Sequence, residues 1–202
     1  MIDNYNDLTL GTYLEIDEIL RSEAEEIDKQ VSLIAILAGM DEAQILALPL
    51  ADYAALAAKT EFLREECPPV TAPARVIVGS RVYVPTQDFT KITTAQYVDF
   101  QTFSKGGIEK LAELLAVLLL PEGKAYNEGY DFAQVVADVK TLPLPVALSL
   151  VGFFFARLSA SIAASLTSLE GMAKKLNKSA REKAMKVASQ LRETLAGAGL
   201  QM

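Results

Sequence analysis

Few side chains in this sequence are suited to chemistry on a substrate. The chain of 202 residues contains no histidine and a single cysteine. This composition excludes Ser-His-Asp and Cys-His nucleophiles, histidine-ligated metals and disulfides within the chain. Cys67 follows Glu65 and Glu66, and neighbouring carboxylates raise the pKa of a thiol. We therefore predict no catalytic residues and no enzymatic activity.

A phosphate-binding loop is the next candidate, at Gly123 and Lys124. The motif fails at two positions, because Leu118 stands where the first glycine is required and Ala125 stands where Ser or Thr is required. We therefore expect no nucleotide cofactor.

Clusters of carboxylates are the remaining chemical feature, at residues 15–18, 23–28 and 122–131. None has the alternating ligand spacing of a calcium loop. The sequence predicts solvated acidic faces and no metal, while a catalytic carboxylate pair drawn from distant segments is a less favoured alternative.

Charge is distributed unevenly along the chain. The net charge is −7, which argues against a nucleic acid partner. Residues 1–67 hold 15 acids and 4 bases, whereas residues 161–202 hold 3 acids and 7 bases. The two ends could attract each other within one chain, or between copies in a possible homo-oligomer. The alternative is that both ends are solvated faces.

Helix-start residues and turn residues divide the chain into elements. In the first third, capping patterns predict four helices: one from Thr9 to about Leu20, one opened by Ser22 with Glu25 and closed by Gly39, one capped by Asp41 with Gln44, and one over residues 50–66 opened by Pro49. The predicted inward residues of the second helix are Ile27, Val31, Ile34, Ala35 and Ala38. Those of the fourth helix are Tyr53, Leu56, Ala57 and Leu63. In the second half, the same patterns predict a helix from Thr93 with Gln96 to about Phe103, an apolar helix over residues 108–120, a loop over 121–130, a helix over 132–140 and a long apolar helix opened by Pro145.

A β-hairpin is predicted between these two groups of helices. β-Branched residues at 74–78 and 81–84 flank the two-residue loop Gly79-Ser80, which suits a type II′ turn. Two strands are marginal alone. The hairpin must therefore lie on the helical body, gain a strand from residues 89–92, or pair with another protein.

The two halves also resemble each other. The pattern Thr9 to Tyr13 matches Thr93 to Tyr97, and a Leu-Pro-Leu sequence opens a helix at residues 48–50 and again at 142–144. Internal duplication is one explanation, and shared helix-start chemistry is the other. The sequence predicts a mainly α fold: a bi-lobed helical body with a small β-hairpin insertion and a long C-terminal helix. The predicted domains are an N-terminal helical lobe (1–67), a hairpin linker (68–92), a second helical lobe (93–170) and a basic amphipathic C-terminal helix (171–202).

An apolar stretch over residues 144–166 carries Arg157 as its only charge and is long enough to span a bilayer. The arginine and several serines favour a buried or partner-covered helix over a membrane span. Aromatic residues and arginine are typical interface anchors. The alternative is that the phenylalanines belong to the core and that the Arg157 stem packs at a helix edge. The predicted partner-binding residues are Phe153, Phe154, Phe155, Arg157, Leu176 and Leu191.

Residues 31–50, preceded by the Leu-Thr-Leu-Gly-Thr-Tyr sequence of residues 8–13, resemble the tail-assembly and baseplate-hub-assembly chaperones of tailed bacteriophages. Residues 92–100, 120–124 and 126–131 resemble the later part of such proteins. The resemblance covers about residues 8–158, and its motifs are packing and capping patterns.

The resemblance implies a non-enzymatic chaperone in the cytoplasm of the infected bacterium. Its client would be an apolar tail component, such as the tape-measure or a hub protein, whose helices lie in an apolar groove. The hairpin and the basic C-terminal helix are not required by that family. They leave open a structural subunit of the virion tail or baseplate.

Overall fold

The computed structural model describes residues 1–175 and residues 186 and 189. This part of the chain is mainly helical, with one small antiparallel sheet. Its α-helices are α1 Leu10–Arg21, α2 Glu26–Ala38, α3 Glu42–Leu46, α4 Leu50–Ala58, α5 Thr94–Ser104, α6 Leu111–Leu118, α7 Phe132–Lys140 and α8 Leu144–Lys175. Its strands are β1 Val76–Val78, β2 Arg81–Pro85 and β3 Leu119–Pro121, and single 3-10 turns lie at Glu61–Arg64 and Gly107–Lys110.

Local capping determines where several helices begin, as the sequence predicts. The hydroxyl oxygen of Thr9 accepts a hydrogen bond from the Thr12 N–H at 3.2 Å, and that of Thr93 accepts one from the Gln96 N–H at 3.1 Å. Asp41 forms the predicted capping box at the start of α3. These side chains satisfy N–H groups that have no partner within the helix.

The prediction that Ser22 opens the second helix is wrong. Ser22 instead ends α1, where its hydroxyl donates to the Ile19 carbonyl at 2.7 Å, and α2 begins four residues later at Glu26. The hydroxyl that could have capped the next helix is used by the previous one. The C-terminal end of α2 agrees with prediction, because Gly39 adopts the left-handed conformation with φ 64°.

The fourth helix is shorter than predicted and ends at Ala58. Thr60 lies just beyond this end and donates its hydroxyl to the Ala57 carbonyl at 2.8 Å, and the chain continues into the 3-10 turn at residues 61–64. The first part of the helix packs as expected. Tyr53, Leu56 and Ala57 lie against a buried cluster of α2 and α3 side chains: Val31, Ile34, Ala35 and Ile45.

The hairpin is confirmed, but its third strand differs from the one expected. β1 pairs with β2 across the loop Gly79-Ser80, and β2 pairs with β3, which supplies Leu119 opposite Pro85 and Leu120 opposite Val84. The predicted helix over residues 108–120 is therefore a 3-10 turn, a shorter α6 and a strand. A continuously apolar run is compatible with a buried helix or a buried strand, so periodicity alone cannot separate them.

The apolar α6 lies at the centre of the second group of helices and packs against both α5 and α7. Its residues Leu111, Ala112 and Leu114 to Leu118 are buried. Gln96 of α5 is also buried and donates its side-chain N–H to the Val117 carbonyl at 2.8 Å. This bond satisfies a carbonyl in the last turn of α6.

A short backbone connection joins the start of α1 to the start of α8. The Leu10 N–H donates to the Leu142 carbonyl at 2.8 Å, and the Leu144 N–H donates to the Leu8 carbonyl at 2.7 Å. The order of α1 to α4 is repeated by α5 to α8, and the two Leu-Pro-Leu sequences open α4 and α8. This order agrees with internal duplication, which stays a prediction.

The chain divides into two compact units. The first consists of residues 1–85 and 93–151 and therefore contains helices from both predicted lobes; the second consists of residues 86–92 and the chain from 152 onward. The predicted partner-binding residues Leu176 and Leu191 lie outside the described residues, as does most of the predicted basic helix.

Candidate partner-binding surfaces

The three consecutive phenylalanines of α8 have different surroundings. Phe154 is 3% exposed, and its ring packs edge to face against Phe89 of the same unit, with ring centroids 6.4 Å apart. Such aromatic pairs stabilise a fold beyond the area that they bury. Phe154 is therefore a packing residue, and the predicted partner contact rests on its neighbours.

Phe153, Phe155 and Arg157 are the more accessible residues of this segment. Phe153 and Phe155 are half-buried, and Arg157 is exposed. The Arg157 guanidinium carbon lies 5.3 Å from the centroid of the Phe153 ring, within the range of a cation–π contact. This geometry agrees with an arginine that packs at a helix edge, and its role toward a partner stays a prediction.

A groove of 580 Å³ lies on the first unit, where the sequence did not predict one, and four of its nine lining residues are apolar. We call it the α1–α2 groove; its lining residues are Leu20, Glu26, Ile27, Lys29, Gln30, Leu33, Thr60, Leu63 and Arg64. Leu20 is 54% exposed and Ile27 is 55% exposed. The inward position predicted for Ile27 is therefore wrong, because the packed cluster of α2 begins one turn later, at Val31.

Hydrogen bonds hold the walls of this groove. The Lys29 ammonium donates to the Leu20 carbonyl at 3.3 Å and thereby connects α2 to the last turn of α1. Next to the lining residues Leu63 and Arg64, the Tyr5 hydroxyl donates to the Glu65 carbonyl at 2.8 Å, and its ring packs edge to face on Phe62. Burial raises the pKa of Tyr5, so this donor keeps its proton at neutral pH.

The segment that leads into α2 and the first turn of that helix carry exposed carboxylates that do not line the groove. Glu23, Glu25 and Asp28 are exposed and take part in none of the ion pairs found among residues 1–175. Glu26 differs, because it pairs with Lys29 at 3.3 Å. The charged residues that line the groove itself are Glu26, Lys29 and Arg64.

Other places on the first unit also expose large apolar side chains, among them the corner between α3 and α4 and strand β1. Leu46 and Leu50, at the corner between α3 and α4, are 72% and 81% exposed. Ile77 is 69% exposed and lies on β1, an outer strand of the sheet β1-β2-β3. The sequence contained a signal for the exposed corner between α3 and α4, because its Leu-Ala-Leu-Pro-Leu run presents more leucines than a short corner can bury.

A buried carboxylate connects the sheet to α7 through a polar cluster that the sequence did not predict. Asp138 is 4% exposed and accepts two hydrogen bonds from the Arg81 guanidinium, one from the Tyr83 hydroxyl and one from the Gln134 amide. We call these four residues the Asp138 clasp. The residues share no local motif, because strand and helix are more than fifty positions apart.

The clasp shifts the pKa of its members. Burial opposes ionisation of Asp138, but the hydrogen bonds from Arg81, Tyr83 and Gln134 outweigh it and hold the pKa of the carboxyl below its ordinary value. Burial, reinforced by the hydrogen bond to Asp138, raises the pKa of Tyr83 to about 12. At neutral pH Arg81 is therefore charged and Tyr83 keeps its proton, so both stay donors to the carboxylate, which is typical of a structural contact.

The positions considered for chemistry are placed as follows. Burial raises the pKa of the Cys67 thiol, in the direction expected, although the carboxylates next to it were the expected cause. Gly123 lies in a turn with φ 77°. Among the residues that the structure describes, no group of three or more Cys, Asp and Glu side chains is placed to hold a metal ion.

A second cleft, of 630 Å³, is lined by six charged residues, together with Gly11, Leu14 and Ser22. It lies between α1, α7 and the turn at residues 107–110, and its charged lining residues are Glu15, Asp17, Glu18, Arg21, Glu109 and Lys140. Asp17 and Arg21 form an ion pair at 2.9 Å, so part of its charge is already compensated.

One stretch of α8, Leu144–Ser161, is long and apolar enough to cross a membrane by length and composition, and 28% of it is buried. The core helix of a soluble protein passes the same test. Comparisons of the chain with protein-family models, curated proteins and solved structures give no match.

Proposed function

We propose that this chain is a non-enzymatic assembly factor of a tailed bacteriophage that holds an apolar, helical tail component in the cytoplasm of the infected bacterium. The resemblance of residues 8–158 to tail and baseplate-hub assembly chaperones supports the phage context. The observation that carries the binding role is the exposure of large apolar side chains on the first unit: Leu20, Ile27, Leu46 and Leu50. Grouped exposed apolar residues mark interaction sites on soluble proteins.

The physical basis of such a role is burial of these side chains against a client. Each leucine or isoleucine removed from water contributes about 1.5 to 3 kcal/mol before the costs of association. The net charge of −7 would keep the chain and its complex soluble while the client awaits assembly.

Co-expression with the tape-measure or hub protein encoded by the same phage tests this function. We expect the client to be soluble with the chain and to aggregate without it, as measured by the soluble fraction and by light scattering. A variant with Leu20, Ile27, Leu46 and Leu50 all changed to Ser should lose this protection, while Glu128→Ser, in an exposed loop, should keep it. Equal client solubility with and without the wild-type chain would refute the proposal.

A structural subunit of the tail or baseplate is the second candidate, and the exposed Ile77 on the outer strand β1 favours it. An outer strand can accept another strand from a neighbouring molecule. Light scattering of the purified chain across a salt series separates the two functions. A defined oligomer that persists at high salt, together with a fixed copy number in virions, would support the subunit; a monomer, or association only at low salt, would support the chaperone.

A further inference from the structure

One backbone contact inside the first unit joins the start of α1 to the Leu-Pro-Leu sequence that opens α8. Thr9 and Pro143 face each other in an antiparallel bridge, with one backbone hydrogen bond on either side of the pair. Leu10 and Leu144 are the donors of these bonds, and each is the first residue of its helix, where an N–H has no acceptor within the helix. The four leucines of this contact are buried: Leu8, Leu10, Leu142 and Leu144.

The chain contains both halves of a second contact of this kind, but these two halves are not joined. Pro49 precedes the first residue of α4 in the other Leu-Pro-Leu sequence, and Thr93 caps α5 as Thr9 caps α1. Both Pro49 and Thr93 are exposed, and no isolated bridge joins them in the part of the chain that the structure describes. We call residues 46–50 the open corner and residues 93–98 the open α5 start.

Large apolar side chains are exposed on both open surfaces. Leu46 and Leu50 of the open corner are 72% and 81% exposed, and Tyr97 and Val98 of the open α5 start are 48% and 54% exposed. The α1 residues at the positions of Tyr97 and Val98 are half-buried. Water over the four exposed side chains is displaced favourably by an apolar surface of matching shape.

The two open surfaces carry side chains that suit each other. In the closed contact Gly11 lies against Lys140, the last residue of α7, and the same two positions of the open surfaces hold Ala95 and Leu46. A lysine of the closed contact is therefore replaced by an exposed leucine, which an alanine can cover. A Cβ at position 11 would lie 3.1 Å from the Lys140 carbonyl oxygen, so we expect the open surfaces to meet a few tenths of an ångström further apart.

Symmetry identifies the occupant of these surfaces as a second copy of the chain. The closed contact joins the start of the first group of helices, α1–α4, to the last helix of the second group, α5–α8. The last helix of the first group and the start of the second group are left open. A contact between unlike surfaces of repeated units is completed only by the next unit, which here is another chain. The equivalence of the two backbone segments is sufficient for this, whether duplication or shared helix-start chemistry produced it.

We infer that copies of this chain associate head to tail, with the open corner of one copy on the open α5 start of the next and with Pro49 opposite Thr93. Four exposed apolar side chains are far fewer than the roughly 20–30 residues a side of a stable interface, so the association is weak and the chain is monomeric in dilute solution. It therefore differs from the defined oligomer of a structural subunit. The association itself does not rest on the proposed function; its one consequence there is that a client bound at Leu46 and Leu50 would displace the next copy.

Disulfide trapping tests the pairing of Pro49 with Thr93. Opposite residues of such a bridge have Cα atoms about 4.5 Å apart, within the range that a disulfide spans. Pro49→Cys and Thr93→Cys are made in separate chains that also carry Cys67→Ser, mixed and oxidised, and the products are identified by mass spectrometry. We expect a mixed dimer from this pair and little from Pro49→Cys with the matched Ser104→Cys, at the far end of α5. Equal yields from the two pairs would overturn the pairing.

Mixing of two variants tests the head-to-tail arrangement without a new covalent bond. Leu50→Asp places a charge in the open corner and Val98→Asp places one in the open α5 start, so neither variant should associate alone. A mixture should form a one-to-one dimer, because each variant keeps the surface that the other lacks. Sedimentation equilibrium from micromolar to millimolar concentrations measures this. The matched change Ile77→Asp, at an exposed residue of β1, should associate as the wild type does.

Three outcomes would overturn the inference: a wild-type chain that stays monomeric over the whole concentration range, a mixture that stays monomeric, or loss of association in Ile77→Asp alone. The last outcome would place self-association at β1. Circular dichroism of each variant separates loss of association from unfolding. Neither experiment contains a client, so failure of this inference is distinguishable from failure of the proposed function, which the soluble fraction of the client decides.

Discussion

Arg81 and Asp138 form a two-point ion pair, with Nε 2.5 Å from Oδ2 and Nη2 2.9 Å from Oδ1. The two residues are 57 positions apart and connect the hairpin to α7. The carboxylate is buried while the Arg81 side chain is half exposed. Loss of Asp138 is consequently the more costly change, because water cannot replace the buried carboxylate as an acceptor.

Replacing Asp138 with Ala should destabilise the first unit. The change leaves the buried Tyr83 hydroxyl without its acceptor, which costs about 2 kcal/mol and lowers the melting temperature by about 4 to 8 °C. Thermal unfolding followed by circular dichroism measures this effect. Glu128→Ala, in an exposed loop, is the control, and an equal melting temperature for both variants would show that the clasp contributes nothing.

The clasp should also make stability depend on acid pH. The pKa of Asp138 is lower in the folded chain than in the unfolded chain, so the unfolded state binds the proton first as pH falls. The stabilisation is complete above the unfolded value of about 4 and is lost as pH falls through the folded value. Urea unfolding of the wild type and Asp138→Asn should therefore differ most above about pH 5, and the difference should shrink as pH falls below about 4 toward the folded pKa of Asp138. A difference that grows on acidification would contradict the direction of the pKa shift.

Alkaline pH should act through Tyr83. Its folded pKa is about 12, whereas an unfolded tyrosine ionises near 10. Stability is therefore complete below about pH 10 and falls as pH rises toward 12. Tyr83→Phe should remove part of this decline when unfolding free energies are measured between pH 9 and 11. Tyr97→Phe, at an exposed tyrosine of α5, should leave the decline as it is in the wild type.

Phe154 and Phe155 should respond differently to truncation. Phe154→Ala removes a buried ring that packs on Phe89 and should cost about 3 kcal/mol or more, whereas Phe155→Ala, at a half-buried position, should cost clearly less. Thermal melts of both variants test the difference. Equal losses would mean that the two rings are packed alike, and partner binding lost with Phe155→Ala alone would support the predicted interface.

Local residue patterns were sufficient for much of the fold. The N-caps Thr9 and Thr93, the capping box of Asp41 and the left-handed Gly39 agree with prediction because each depends on bonds within a few residues. The hairpin around Gly79-Ser80 agrees for the same reason. The mainly α fold follows from these local signals.

The sequence indicated one candidate surface, whose partner role stays a prediction, and missed another. Phe153, Phe155 and Arg157 were singled out by residue type, which cannot tell a core ring from an exposed one, and burial separated Phe154 from its neighbours. The α1–α2 groove was missed because Leu20 and Ile27 fit helical apolar faces that a sequence assigns to the core. Only the positions of the surrounding helices leave these two side chains uncovered.

Residue types and spacing by themselves determined the acidic charge, the capped helices and the hairpin, because those depend on side chains and on bonds between near neighbours. Tertiary structure alone decided that Leu119 extends a sheet instead of α6 and that Ser22 ends α1. It also decided that Arg81 meets Asp138. Each of these choices depends on backbone or side-chain groups brought together from distant positions, and a buried group takes whichever partner satisfies its hydrogen bonds.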